Sequence, residues 1–291
     1  MVFGRVGKGR QELQTTNYDQ HPKTRTINHQ PETHMLSSTH LLSSLTWKAV
    51  QKTKYEVAIL PWGATEPHNY HLPFSTDVIE SDYIAAESAR RAAEHGVKVI
   101  VLPSIPFGVN TGQLDLNMTI SMNPSTQAAI LKDVIESLSG HNVPKLVILN
   151  SHGGNDFKQM IRELQPHHPG MLLCTINWWQ TVDQSKFFEE QDDHAGEMET
   201  SVMLAIAPHL VLPLSEAGPG KTRPFKIKAL RERWAWTPRQ WTKATTDTGA
   251  GDPRKATAEK GRKYLDAVTT KISDFLVELA KSDVKDLYEQ T

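Results

Sequence analysis

Glu66, His68, His71 and Asp77 fall within twelve residues of one another, in the stretch Leu60-Pro-Trp-Gly-Ala-Thr-Glu-Pro-His-Asn-Tyr-His-Leu-Pro-Phe-Ser-Thr-Asp77. Carboxylate oxygens and imidazole nitrogens together suit zinc, manganese or iron. Glu66 and His68 are two apart, so in extended backbone both side chains project to one face and can converge on one point. A polar loop with incidental histidines is the plainer reading of the same residues. Two further stretches carry comparable groups. In Asn150-Ser-His-Gly-Gly-Asn155, His152 directly follows an apolar run. Gly153 and Gly154 behind it allow a close approach of backbone to a ligand, and Gly153 is counted as a substrate contact. In Asp192-Asp-His-Ala-Gly-Glu-Met-Glu-Thr-Ser201, acids in a first helical turn could simply complement the helix dipole. Asp193, His194, Glu197 and Glu199 are more than a cap needs. His194 with Asp193 beside it could act as a general acid or base, and Glu199 could complete a metal site.

Together these groups exceed the needs of one ion. The surplus points to two divalent ions per chain bridged by Asp77, with a metal-bound hydroxide as nucleophile. Trp178 and Trp179 could wall a pocket for a flat ring, although aromatics after a strand are as often core.

The elements that must position these residues alternate in type. Residues 55–60, 97–103, 145–150 and 171–176 are apolar runs rich in β-branched residues, as buried strands are. Helical spacing runs over 79–95, ending at Gly96, and over 124–139, opening at Pro124. Further helices are expected over 43–52, after residue 156, over 194–206 and over 253–281. Residues 107–117 form a loop rich in Gly and Asn, 119–122 are short and β-like, and 215–250 read as a long excursion. Strands alternating with helices predict an α/β protein: one three-layer α/β/α domain with a mainly parallel sheet. The three polar stretches then fall at strand carboxyl ends, where open α/β sheets keep their sites.

The chain has 291 residues and a formal net charge of -1. That length supports a full core, and that charge makes no electrostatic case for nucleic acid. No apolar run reaches the roughly 18 residues of a membrane span, and no apolar segment of a signal peptide follows the N-terminus. The single cysteine, Cys174, lies in an apolar run and reads as core. A cytoplasmic enzyme without membrane contacts is expected. Residues 1–34, rich in Gln, Thr, His and Arg, read as a disordered extension before a domain over 35–291, and Met35 is an alternative start.

Glu66-Pro-His68 with His71-Leu-Pro and Thr76-Asp77, then His152-Gly-Gly-Asn155, then His194-Ala-Gly-Glu-Met-Glu199-Thr-Ser resembles the creatininase (creatinine amidohydrolase) family. The resemblance spans about residues 40–275 and includes Gly251-Asp-Pro and Ala256-Thr-Ala-Glu-Lys-Gly261. It implies a binuclear metal centre, hydrolysis of non-peptide C–N bonds in a small amide such as a cyclic amide, with formamides and the peptide-like substrates of other family branches left open, and a homo-oligomer, hexameric in creatininase itself. It further implies Glu66, Asp77 and His152 as ligands of one ion, His68 and Asp77 as ligands of the other, and His194 as the catalytic histidine with Asp193 its acidic neighbour. Two positions depart from the pattern. Gly154 stands where creatininase has a glutamate, so Glu199, or else Glu197, must replace that ligand. The loop 107–117 lacks the Ser and His that many members carry. A degenerate member that binds a small ligand without turnover is one alternative. An adaptor using the locally basic arm, with Lys221, Arg223, Lys226, Lys228, Arg231 and Arg233, is another.

Overall fold

The computed structural model describes residues 40–190 and 192–289. The expected extension over 1–34 lies outside the described residues. Four strands, β1 (Val57–Trp62), β2 (Val99–Val101), β3 (Lys145–Asn150) and β4 (Leu172–Asn177), form one sheet in the order β2-β1-β3-β4. Every pairing is parallel. Strands of this kind are covered on both faces, which is why their sequences are apolar without alternation. Val57, Ile59, Val147 and Leu149 belong to one core, closed by α2 (Thr76–Glu94), α5 (Glu197–Ile206) and α8 (Ala258–Lys281). Their neighbours Ala58, Leu60, Leu146 and Ile148 face the opposite core, closed by α3 (Pro124–Gly140) and α4 (Lys158–Leu164). The result is the three-layer α/β/α arrangement.

From β1 the chain moves to β2 on one side and then to β3 on the other. The direction of winding therefore reverses between β1 and β3, and a crevice opens beyond their carboxyl ends. The loops carrying Glu66 and His152 leave the sheet there. Gly63 lets the end of β1 abut α2 directly: a Cβ on it would lie 2.7 Å from the Val78 amide nitrogen. This contact brings the loop after β1 beside Asp77.

Several boundaries differ from the sequence reading. The helix expected over 79–95 starts at Thr76, so Asp77 lies in its first turn rather than on a loop. Apolar spacing marks only the turns that pack on the core, and the first turn is polar because it faces the crevice. The helix expected over 43–52 is a 3-10 turn, Leu42–Ser44, followed by the single-turn α1, Trp47–Val50. The expected helix 194–206 starts only at Glu197. His194 instead pairs with Ala250 in a short antiparallel bridge, and Ala195 has φ of 52°. The excursion over 215–250 holds two one-turn helices, α6 (Lys228–Arg231) and α7 (Trp241–Ala244). Among the described residues no single helix is long and apolar enough to cross a membrane.

Candidate metal centre

Three imidazoles meet at the crevice, and each is fixed by a backbone carbonyl. His68 Nδ1 is 3.0 Å from the Glu66 carbonyl oxygen, which leaves Nε2 facing Asp77 Oδ1 at 2.9 Å. His152 Nε2 is 3.1 Å from the Val109 carbonyl, which leaves Nδ1 2.8 Å from Glu66 Oε1 and 3.2 Å from Asp77 Oδ2. His194 Nε2 is 2.9 Å from the Pro67 carbonyl, and its Nδ1 lies 3.9 Å from Glu66 Oε1. A ring N–H donated to a carbonyl turns the other nitrogen inward, where a cation that displaces its proton would find a lone pair, the arrangement that metal-binding histidines use. The carboxylates are held as well. Gln113 Nε2 donates to Glu66 Oε2, and the Ala195 amide donates to Glu199 Oε2.

Donor atoms of Glu66, Asp77 and His152 lie within 4.8 Å of one another, as do those of His68, Asp77 and Glu199. Asp77 belongs to both groups. A third group, Glu66, His68 and His194, overlaps them. Glu66 and Asp77 are buried, Glu199 partly so, and no lysine or arginine is among these groups. Carboxylates gathered in the interior are costly unless cations offset them. The residues therefore fit divalent ions by the chemistry of the donors, with protons on the imidazoles offsetting the carboxylates in their place.

The titration of these groups reflects the same crowding. Burial alone would lower the His68 imidazole, but the adjacent Asp77 carboxylate outweighs it and holds His68 up at about 10. His152 is likewise raised against burial by Glu66 and Asp77. Asp77 is depressed despite burial, by His68 and His152, and its place in the first turn of α2 adds the favourable end of the helix dipole. Burial, with the Asp77 and Asp192 carboxylates adding to it, pushes Glu199 up to about 8 against the pull of His68. His194 moves the other way: burial and then the His68 charge lower it, favouring the neutral ring.

Other expected site residues are placed elsewhere. Asp193 does not accompany His194; its carboxylate is exposed and pairs with Arg239. The reason is local: Ala195 turns with φ of 52°, and Glu66, not Asp193, is the carboxylate nearest the His194 ring. Trp178 is a core residue, 1% exposed, whose Nε1 donates to Ser151 Oγ at 2.7 Å, so it walls no pocket. Trp179 and Gly153 do line the cavity over the centre. Glu197 is fully buried away from the donors, accepting from the Glu189 and Glu190 amides at 2.8 Å and pairing with Lys260. Gln113, Arg239 and Trp241 reach the site without having been anticipated. A glutamine in a Gly-rich loop and residues on an aperiodic arm carry no spacing signal.

Gly154 has a steric explanation. A Cβ there would lie 2.2 Å from the Val109 carbonyl oxygen and 2.4 Å from His152 Nε2, inside the hydrogen bond that orients His152. A side chain at this position is incompatible with that hydrogen bond, while Glu199 reaches the cluster from α5. Gly154→Ala should cost about 1–3 kcal/mol through overpacking and should weaken metal retention. An unchanged melting temperature and metal content in this variant would show that His152 is not held this way.

A cavity of about 520 Å³ covers the cluster, closed on one side by the loop with Asn110 and Gln113 and on the other by the arm. An α/β/α fold with buried acid and imidazole donors at its switch point defines a metal-binding α/β protein. A family model, creatininase (creatinine amidohydrolase), matches residues 43–276. The chain belongs to the creatininase family of metal-dependent amidohydrolases. It is similar to the creatinine amidohydrolase of Pseudomonas putida, 25% identical over 60% of this chain and 75% of that protein. It is also similar to the mycofactocin precursor peptide peptidase of Mycobacterium ulcerans, 28% identical over 71% and 79%. Among solved structures, a Bacteroides fragilis protein provisionally named creatinine amidohydrolase is 47% identical, covering 87% of this chain and 99% of that one, with a TM-score of 0.82. A creatininase structure at 24% identity, covering 84% and 98% with a TM-score of 0.68, shows the shared fold.

Proposed function

We propose that this protein holds two divalent cations per chain and hydrolyses the C–N bond of a small amide. Asp77 shared between two donor groups is the observation that carries this reading. Glu66, Asp77 and His152 hold one cation; His68, Asp77 and Glu199 hold the other. When bound, the cations supply a nucleophilic water of lowered pKa and polarise the amide carbonyl. His194 moves the protons. With Nε2–H given to the Pro67 carbonyl, its neutral Nδ1 can accept a proton and return it to the departing nitrogen. Glu66, 3.9 Å away, offsets the charge formed meanwhile. The curated relatives divide between a creatinine amidohydrolase and a peptide peptidase, so the reading extends to amides in general rather than to creatinine. A homo-oligomer in the cytoplasm accords with it, and sedimentation of the purified protein tests the assembly. Hydrolysis of cyclic amides and formamides by zinc- or manganese-loaded protein tests the activity.

Metal loading should also release protons. Without cations the His68 imidazolium, near 10, and the Glu199 carboxyl, near 8, carry protons at pH 7.5 that a cation must displace. Both folded-state values are raised above the unfolded ones. Their stabilising contribution is therefore complete below about pH 4.5 for Glu199 and 6.5 for His68, and is lost as pH climbs through 8 and 10. The depressed Asp77 acts oppositely, and its contribution is lost only as pH falls below about 4. Metal-free protein should accordingly lose stability between pH 7 and 9, by about 1.4 kcal/mol per pH unit for each proton the folded state holds in excess of the unfolded one, read as a falling melting temperature. The loaded protein should not. Equal pH profiles for the two forms would contradict this account of the cluster.

A further inference from the structure

The arm over residues 221–246 gives the cavity two cationic side chains, Arg233 and Arg239, and no carboxylate. Arg239 is the better placed. Its Nη2 pairs with Asp193, its guanidinium lies 4.7 Å from the centre of the Trp241 ring, and its Nη1 is buried with no acceptor. The Trp241 ring in turn meets the His194 ring edge-on at 4.8 Å. The guanidinium centre thus lies no farther from the imidazole centre than those two steps laid end to end. A half-exposed ion pair such as Arg239–Asp193 contributes little to stability, and an unpaired guanidinium N–H is costly. Packing against Trp241 fixes the position of the group, yet the fold leaves it one acceptor short.

We infer that Arg239 determines specificity by reading a carboxylate on the substrate, one or two residue lengths (roughly 3.3–3.6 Å each when extended) from the scissile amide. This deepens the proposed hydrolase function and rests on it for the position of the scissile bond. The other carboxylates at the cavity are already engaged: Glu66, Asp77 and Glu199 in the donor cluster, Asp192 with the Met198 amide and Asp193 with Arg239. None competes for Nη1. With one nitrogen committed to Asp193, the guanidinium still offers Nη1 to an anionic acceptor, and a carboxylate is the smallest that a small amide substrate carries. Arg239 is about a third exposed and lines the cavity, so a bound ligand can reach its guanidinium. The substrate class is then an acylated amino acid or a cyclic amide acid.

The test uses the zinc-loaded full chain with N-formyl amino acids, N-formyl dipeptides and 5-oxoproline, each as the free carboxylate and as the carboxamide. The ratio of kcat/KM for carboxylate over carboxamide should be roughly 10–100 in the unaltered protein, the range of a charge-assisted hydrogen bond. It should fall to near one in Arg239→Gln and stay intermediate in Arg239→Lys. A merely structural role would lower both substrates together and leave the ratio alone. An unaltered protein without preference, or an Arg239→Gln variant that keeps the preference, overturns the inference while leaving the hydrolase reading standing. If no pair is hydrolysed, the same ratio is read from binding by calorimetry. Carboxylate preference there, lost in Arg239→Gln, sustains the inference and counts against the hydrolase reading alone; no binding of any carboxylate overturns the inference.

Discussion

Asp77→Ala is expected to lose both cations and to lower turnover by roughly 10³ or more. The size follows from the role: bound metal contributes several kcal/mol of charge stabilisation, and each ~1.4 kcal/mol is a factor of ten in rate. Both donor groups contain Asp77, through Oδ1 toward His68 and Oδ2 toward His152. Removing Glu199 or Glu66 should instead deplete one ion first. Elemental analysis of the folded Asp77→Ala variant checks this, with Asp77→Asn as the companion that preserves packing in the first turn of α2. Full metal content in Asp77→Ala would contradict the shared ligand.

His194→Ala is expected to keep its metal and to lose roughly 10²–10⁴ in kcat, the usual contribution of a positioned proton-transfer group. The geometry makes this a demanding test. His194 presents Nδ1 inward just as His68 and His152 present their free nitrogens, and it shares a donor group with Glu66 and His68. A ligand and a proton carrier would share that orientation, so metal content separates them. Glu199→Ala is the control and should lose one ion and activity together. His194→Ala arriving depleted of metal while Glu199→Ala keeps its full complement would exchange the two roles.

The donor residues were legible because their signal is local. Glu66, His68 and His152 each follow an apolar strand within a few residues, and a parallel sheet brings strand ends to one edge. His194 and Glu199 stand out within 192–201 because that stretch holds more acid and imidazole than a helix cap needs. What stayed hidden depends on contacts across the chain. Trp178 and Trp179 are neighbours in sequence, yet only packing against Tyr264 and Ser151 decides that the first is core. Asp193 adjoins His194, but the turn at Ala195 and a cation 46 residues away, Arg239, redirect it. The carbonyls of Glu66, Pro67 and Val109 that set the tautomers are backbone groups, whose role no side-chain pattern reveals. Gly154 was visible as a departure, but its cause, a clash with Val109 and His152, exists only in three dimensions.

Anomalous diffraction from crystals of manganese-loaded protein would locate the ions themselves. Two peaks per chain are expected, roughly 3.5–4 Å apart, with one Asp77 oxygen toward each. Glu66 and His152 should flank the first peak, and His68 and Glu199 the second. A single peak, or a pair to which Asp77 contributes no common carboxylate, would contradict the Asp77-bridged centre.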